Sequence, residues 1–325
     1  MTSSADTTVT ALDDALAGLR GLRIALIAPA GGISDARIDA VIACLARAGV
    51  IPVPGAHVRA HHRYLAGTRA ERLADLHAAF SSPDIDAVWC LRGGYGSAHL
   101  LDGIDWARIP ADRPLIGHSD ITALACAFVT HGKTAIHAPV AADLLRAWGD
   151  EEILSFAASV AGLATALHGR FDTMELAHDR GPMPTTTSRL WGGNLTVLAS
   201  IADLPLSPKG TQPITLLIED VGEAAFRLER CFHQITRAPW FARVHAVVLG
   251  VFHDCVLPSG IGSLTEILLD HVDTDRIGLF SRAPVGHGHR NQAWPVNAQA
   301  RLVDERAHRS AAPVVLMPQS SRTDA

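Results

Sequence analysis

Short apolar runs alternate with longer segments of helical spacing through the first half of this chain, and that alternation most restricts its fold. Arg23-Ile24-Ala25-Leu26-Ile27-Ala28 is a strand-like run that stops at Pro29 and the Gly31-Gly32 pair. Asp35 to Ala48 places Ile38, Val41, Ile42 and Leu45 at helical intervals and ends at Gly49. Thr68 to Phe80 repeats the helical pattern, and Ala87-Val88-Trp89-Cys90-Leu91 follows as a buried strand. Strands separated by helices of this length predict βαβ units, hence an α/β fold built on a parallel sheet. Sites in such sheets gather at the carboxyl ends of the strands. Two motifs stand there: Arg92-Gly93-Gly94-Tyr95-Gly96, and Gly117-His118-Ser119-Asp120, which follows Pro114-Leu115-Ile116.

The chain has 325 residues, 48% of them hydrophobic, enough for two domains. Residues 1–21 are expected to form a flexible extension, 22–147 a first domain, 148–188 a turn-rich connection, 189–317 a second domain and 318–325 a polar tail. In the second domain Ile214 to Ile218 and Ala246 to Phe252 read as strands. Phe226 to Ile235 and Ser263 to Val272 read as helices.

Lys and Arg number 28 against 33 Asp and Glu, a formal charge of −5 with no basic block, so no nucleic-acid partner is expected. The five cysteines are scattered without a C-x-x-C pair, and four of them sit in apolar runs, the pattern of a reduced compartment. The N-terminal segment has no basic cluster ahead of an apolar stretch, and no apolar run is long enough to span a bilayer. The expected location is the cytoplasm, away from any membrane.

Glycine-rich loops point away from nucleotide cofactors. His99 stands where a G-x-G-x-x-G fingerprint needs its third glycine, and no G-x-x-x-x-G-K-[ST] is present. The remaining use of Gly93 and Gly94 is close backbone approach, with the Gly94 amide a candidate donor to a substrate oxygen. His287 and His289 share a glycine-flanked H-x-H run without a third ligand, and H-E-x-x-H is absent, so no metal site is expected.

Ser119, at a strand-to-helix turn, reads as an N-cap or as a nucleophile beside amides that stabilise an oxyanion. Glu219 ends a strand and reads as a turn residue or as the carboxylate orienting a histidine, with Glu223 a nearby competitor. The order Ser119, Glu219, His287 is that of α/β-hydrolases, but Ile121 replaces the second glycine of their elbow.

Five segments in order carry a resemblance: Arg92 to Gly96, Gly117 to Thr122, Leu190-Trp191-Gly192-Gly193-Asn194-Leu195, Ile218-Glu219-Asp220-Val221-Gly222-Glu223, and Gly286-His287-Gly288. Over roughly residues 22 to 305 the chain resembles the LD-carboxypeptidases, the serine peptidases that include muramoyltetrapeptide carboxypeptidase and the microcin C immunity peptidase. The resemblance implies a Rossmann-like N-terminal domain with the nucleophile and a C-terminal swivelling α/β domain with acid and base. It implies Ser119 as nucleophile, Glu219 and His287 as its partners, and the Gly94 and Asp120 amides as the oxyanion hole. It further implies a cofactor-free enzyme that releases a C-terminal D-amino acid, D-alanine from a murein tetrapeptide in cell-wall recycling, and a homodimer.

Two positions depart from the family pattern. His118 replaces an aromatic residue before the serine, and Ser188 replaces a glycine ahead of the tryptophan motif. A peptidase of peptidyl-nucleotide conjugates is the alternative, disfavoured because residues 171–187 contain no tryptophan to stack on a base. A non-catalytic peptide-binding protein is the other. The group that grips the substrate carboxylate is left open between Arg92 and Arg290.

Overall fold

The computed structural model describes residues 4–260, 262–304 and 314–318. Its contacts divide the chain into two units. One holds the described residues up to His168 together with His289–Trp294; the other holds Gly169–Gly288 and the described residues from Pro295 onward.

The first unit is an α/β layer structure. Helix α1 (Ser4–Leu16) leads to β1 (Arg23–Ile27), α2 (Asp35–Arg47), β2 (Ile51–Pro54), α3 (Arg69–Ser81) and β3 (Ala87–Cys90). Then come β4 (Leu115–Gly117), α4 (Thr122–Thr130), β5 (Ala135–His137) and α5 (Asp150–Leu167). With β11 (Trp294–Pro295) returning to the edge beside β5, six strands pair in the order β11-β5-β4-β3-β1-β2, and every pair from β5 to β2 is parallel. Parallel strands covered on both faces read as continuous apolar runs, and β3 is buried at every position. Helix α4 is buried from Thr122 to Val129, so it is apolar all round rather than striped. Phe80 and Phe128 meet at 5.1 Å between ring centroids on the core side.

Two expectations are corrected here. The N-terminal segment from Ser4 is not a loose extension: α1 packs on α5, and Leu12, Leu16 and Leu19 are buried. Their i, i+4, i+7 spacing supplies the apolar stripe that pins it. Nor is 148–188 a connection without regular structure. It contains α5, with Ile153, Phe156, Val160 and Leu163 facing the core, and β6 (Met174–Arg180), which belongs to the second unit.

The second unit continues with β7 (Ser188–Asn194), α6 (Leu195–Ser200), β8 (Ile214–Val221), α7 (Ala225–Thr236), β9 (Val244–His253), α8 (Leu264–Leu269) and β10 (Gly278–Ser281). It ends in β12 (Gln299–Asp304) and β13 (Val314–Pro318). Seven strands close into a barrel in the order β10-β6-β13-β12-β7-β8-β9. The run β7-β8-β9-β10 is parallel and the other pairings are antiparallel, so the sheet is mixed. Closure leaves no free sheet edge. Trp191, Phe232 and Phe280 are among its fully buried side chains. The expected 318–325 tail lies outside the described residues except Pro318, which ends β13.

All five cysteines are free thiols, and three (Cys44, Cys90, Cys126) are buried rather than the four expected. Cys231 sits on α7 and Cys255 follows β9, where each is partly covered. Among the described residues, no helix is long and apolar enough to cross a membrane.

Candidate active site

Ser119 stands at the carboxyl end of β4, in a single 3-10 turn that runs into α4. Its φ is +62°, a left-handed conformation that an L-residue other than glycine adopts at a cost. A sharp strand-to-helix turn of this kind lifts the side chain clear of the backbone, as a nucleophile requires. Gly93, in the loop after β3, makes the close approach. A Cβ built there would lie 2.8 Å from Ser119 Cβ, 3.0 Å from its Oγ and 3.2 Å from the Asp120 nitrogen. Any side chain at Gly93 therefore competes for the space around the hydroxyl. Gly94 beside it has φ +107°, again a conformation that favours glycine.

Buried charge holds this corner together. Asp120 Oδ2 accepts from the Ser97 amide at 2.8 Å, while the Ser97 hydroxyl donates to the Asp120 carbonyl. Arg72, on α3 and 3% exposed, donates through Nη1 to the carbonyls of Pro29 (2.7 Å) and Gly96 (2.8 Å). Burial pulls its pKa down, and the nearby Asp120 carboxylate acts against that shift. One guanidinium thus ties the loop after β1 to the loop after β3, and Asp120 ties the latter to the Ser119 turn. Such charge-assisted bonds set positions more firmly than neutral ones.

Behind the serine, His118 is buried, with Nε2 3.0 Å from Asp143 Oδ2. The same carboxylate oxygen accepts from the Val140 amide at 3.2 Å. Burial pushes the Asp143 pKa up. The hydrogen bond and charge of His118, the charge of Arg146 and the Val140 amide outweigh it, so the net shift is downward. His137, ending β5, stacks on Trp294 at 5.1 Å, and its Nε2 lies 3.1 Å from Asn291 Oδ1. The imidazole departure at residue 118 is therefore a partnered core group of the first unit.

In the second unit Glu219 and His287 come together. Glu219 Oε2 is 2.7 Å from His287 Nδ1, with the carboxylate side chain 0% exposed and the imidazole 14%. Strand β8 continues through Val221, so Glu219 sits inside the strand rather than at its end. Two glycines make room. A Cβ at Gly250 would lie 2.4 Å from the Val285 carbonyl and 3.2 Å from Glu219 Cβ; one at Gly286 would lie 2.7 Å from the Val251 carbonyl. The Val251 amide donates to Val285 at 2.7 Å, which fastens the histidine segment to β9.

Glu223 is occupied elsewhere, 3.6 Å from Arg227 on α7. Asp220, missed from sequence, organises the neighbouring turn. Its carboxylate accepts from Asn194 Nδ2 (3.0 Å), the Val221 amide (2.8 Å), and the Thr196 amide (2.9 Å) and hydroxyl (2.7 Å). Burial nevertheless raises its pKa, against those bonds, and Glu219 adds to the rise. Ser188, the second departure, shares a 2.7 Å hydroxyl pair with Thr215 across β7 and β8. From Arg189 onward β7 pairs with β8 in unbroken register.

Ser119, Gly94 and Asp120 thus belong to the first unit, and Glu219 and His287 to the second. His289, two residues past His287, belongs to the first, where Nδ1 lies 3.4 Å from Glu152 Oε1 with both side chains partly exposed. The first unit also contains a cleft of about 510 Å³, lined by Gly31, Ile33, Arg63, Tyr64, Arg92 and Gly94 among others.

Comparison with known proteins bears on the whole chain. Residues 24–138 match the LD-carboxypeptidase N-terminal domain and residues 187–302 the LD-carboxypeptidase C-terminal domain. A murein tetrapeptide carboxypeptidase of Pseudomonas aeruginosa is 41% identical over 290 residues, covering 87% of this chain and 94% of that protein. The crystal structure of muramoyltetrapeptide carboxypeptidase from Oxalobacter formigenes superposes with a TM-score of 0.78 at 26% identity, over 93% of this chain and 100% of that one.

The microcin C7 self immunity protein MccF, solved in complex with aspartyl sulfamoyl adenosine, shares the fold with a TM-score of 0.78 at 19% identity, covering 94% and 98%. That complex overturns the expectation that a nucleic-acid-like partner is excluded. A weak overall charge argues against neutralising a polyanion. It says nothing about a single nucleoside held in a pocket, which this fold accommodates in MccF.

Proposed function

The chain belongs to the LD-carboxypeptidase family and is a serine-type carboxypeptidase; we propose that it removes the C-terminal D-alanine from murein tetrapeptide, with Ser119, His287 and Glu219 as its catalytic groups. The observation that carries the assignment is the 2.7 Å pairing of His287 Nδ1 with a wholly buried Glu219. A carboxylate at that nitrogen selects the tautomer with the proton on Nδ1. Nε2 is then the basic nitrogen, and the carboxylate stabilises the imidazolium that forms when it accepts a proton.

Ser119 Oγ attacks the carbonyl of the L-configured centre preceding the terminal D-alanine as its proton passes to His287 Nε2. The Gly94 and Asp120 amides hold the resulting oxyanion, the kind of preorganised donor pair that contributes most to such reactions. Collapse breaks the C–N bond, and the imidazolium returns the proton to the departing amine, leaving an ester on Ser119. Water, deprotonated by the same nitrogen, attacks that ester and frees the shortened peptide. No step calls for a cofactor.

The finer architecture in this reading is a Rossmann-like nucleophile domain and a swivelling domain for acid and base. Five free cysteines fit a reducing cytoplasm. Mass spectrometry of the enzyme incubated with tetrapeptides differing only in the stereochemistry of the last two residues tests the substrate. Loss of one D-alanine from the L,D-configured peptide alone is expected. Equal cleavage of the L,L peptide contradicts it.

A further inference from the structure

A carboxypeptidase differs from an endopeptidase in one recognition event: it must hold a free carboxylate one residue beyond the bond it breaks. Successive Cα atoms are about 3.8 Å apart, so the group that receives this carboxylate has to lie within roughly one residue of the oxyanion donors. We infer that Arg92 is that group and that the cleft beside it is the subsite for the departing D-amino acid. The inference rests on the function proposed above, with Gly94 as an oxyanion donor.

The geometry around Arg92 is that of a built position. Its Nη1 donates to the Gly32 carbonyl at 2.8 Å, which fixes the guanidinium across the mouth of the loop after β1. Nη2 lies 3.3 Å from where a Cβ would stand on Gly94, and Nε lies 3.3 Å from the corresponding point on Gly31. The two glycines flank the guanidinium, and a side chain on either would crowd it. Among the described residues Arg92 makes this one hydrogen bond, which leaves four of its five donors, in a fork that matches a carboxylate, for a ligand.

The charge of the cleft agrees. Its lining contains two arginines, Arg92 and Arg63, and no aspartate or glutamate, in a chain of net charge −5. The other arginines near this end of the sheet are committed. Arg72 is buried on two carbonyls, and Arg59 is paired with Asp39 and Asp35. The lining is also aromatic. Tyr64 and Tyr95, the only tyrosines in the chain, are 63% and 55% exposed and meet edge to face at 5.7 Å. Exposed aromatic rings beside an unsaturated guanidinium suit a small amphipathic group with one negative end, such as a free D-amino acid. Arg290, the other arginine considered from sequence, is exposed and does not line this cleft.

The test compares kcat/KM on murein tetrapeptide with a free C-terminal carboxylate against the same peptide ending in a carboxamide. The intact enzyme is expected to prefer the acid. Arg92→Ala should lower the acid rate about 100-fold, the scale of a lost charge-assisted bond, while changing the amide rate no more than about threefold, so the preference collapses. Arg92→Lys should restore part of it, because the charge returns without the fork. Thermal unfolding of each variant reads any general damage, which would lower both substrates together.

Equal losses on acid and amide in Arg92→Ala would overturn the assignment, as would collapse of the preference in Arg63→Ala with Arg92→Ala unaffected. An intact enzyme that cleaves the terminal residue from neither peptide would instead overturn the substrate proposed above, and this subsite with it.

Discussion

Glu219 Oε2 lies 2.7 Å from Nδ1 of His287, and the carboxylate has no exposure to solvent. A charge-bearing pair inside a mixed barrel is costly to bury unless its geometry is good and it has a use. Here the β8 position of Glu219 and the glycines at 250 and 286 are spent on that approach. In the proposed mechanism this pairing makes His287, rather than His289, the base of the H-x-H run.

His287→Ala is therefore expected to lower kcat by at least about 1000-fold, the scale of losing a triad base. His289→Ala, which removes a partly exposed contact to Glu152 in the other unit, should change kcat by no more than about tenfold. Steady-state kinetics on D-alanine release separates them, and the opposite order would show that the base is His289.

Gly93→Ala should impair catalysis by displacing Ser119. The added methyl would stand 3.0 Å from Ser119 Oγ and 3.2 Å from the Asp120 nitrogen, so the turn has to move. Overpacking of this kind costs about 1–3 kcal/mol, and a displaced nucleophile costs rate as well. The expected outcome is a kcat at least about tenfold lower, with a reduced midpoint of urea unfolding. Unchanged kcat and midpoint would mean that Gly93 has slack the geometry does not suggest.

Much of the first unit was legible because its strands and helices are long enough to show their periods. The spans of α2, α3 and β3 fall within a residue of expectation. The barrel was far less so. Strands β6, β10, β12 and β13 are short or irregular, and register shifts interrupt β8–β9 and β6–β10 pairing, so no stretch of simple alternation marks them. Helix α5 carried apolar residues at helical spacing but lay beside a turn-rich segment, whose composition dominated the reading.

The return of His289–Trp294 to the first unit has no local signature at all. Within the site, motif order singled out Ser119, Glu219 and His287. Arg72 and Asp220 were invisible because their roles consist of contacts to Pro29, Gly96, Asn194 and Thr196, mostly more than twenty residues away in the chain.

Asp143 gives a pH-dependent test. Its folded-state pKa is depressed, chiefly by the hydrogen bond and charge of His118 acting against burial. In the window between that depressed value and the ordinary aspartate value, the unfolded chain binds the extra proton. The stabilisation is thus complete above the ordinary value and is lost as pH falls through the folded one. Asp143→Asn should therefore lose stability relative to the intact protein at pH 7 and lose less of it as the solution is acidified. Urea midpoints at neutral and acid pH read the difference. A gap that stays constant with pH would mean that the carboxylate charge contributes nothing there.

The central claim is that Ser119 is the nucleophile, and the most direct measurement is the turnover of Ser119→Ala on murein tetrapeptide, with unfolding followed in parallel. A methyl group cannot attack a carbonyl, and alanine leaves the surrounding bonds of Asp120 and Ser97 intact. The account predicts a folded protein whose kcat is at least about 1000-fold lower, the residue of catalysis coming from substrate binding and oxyanion donors alone. Retention of a tenth or more of the wild-type kcat would contradict it.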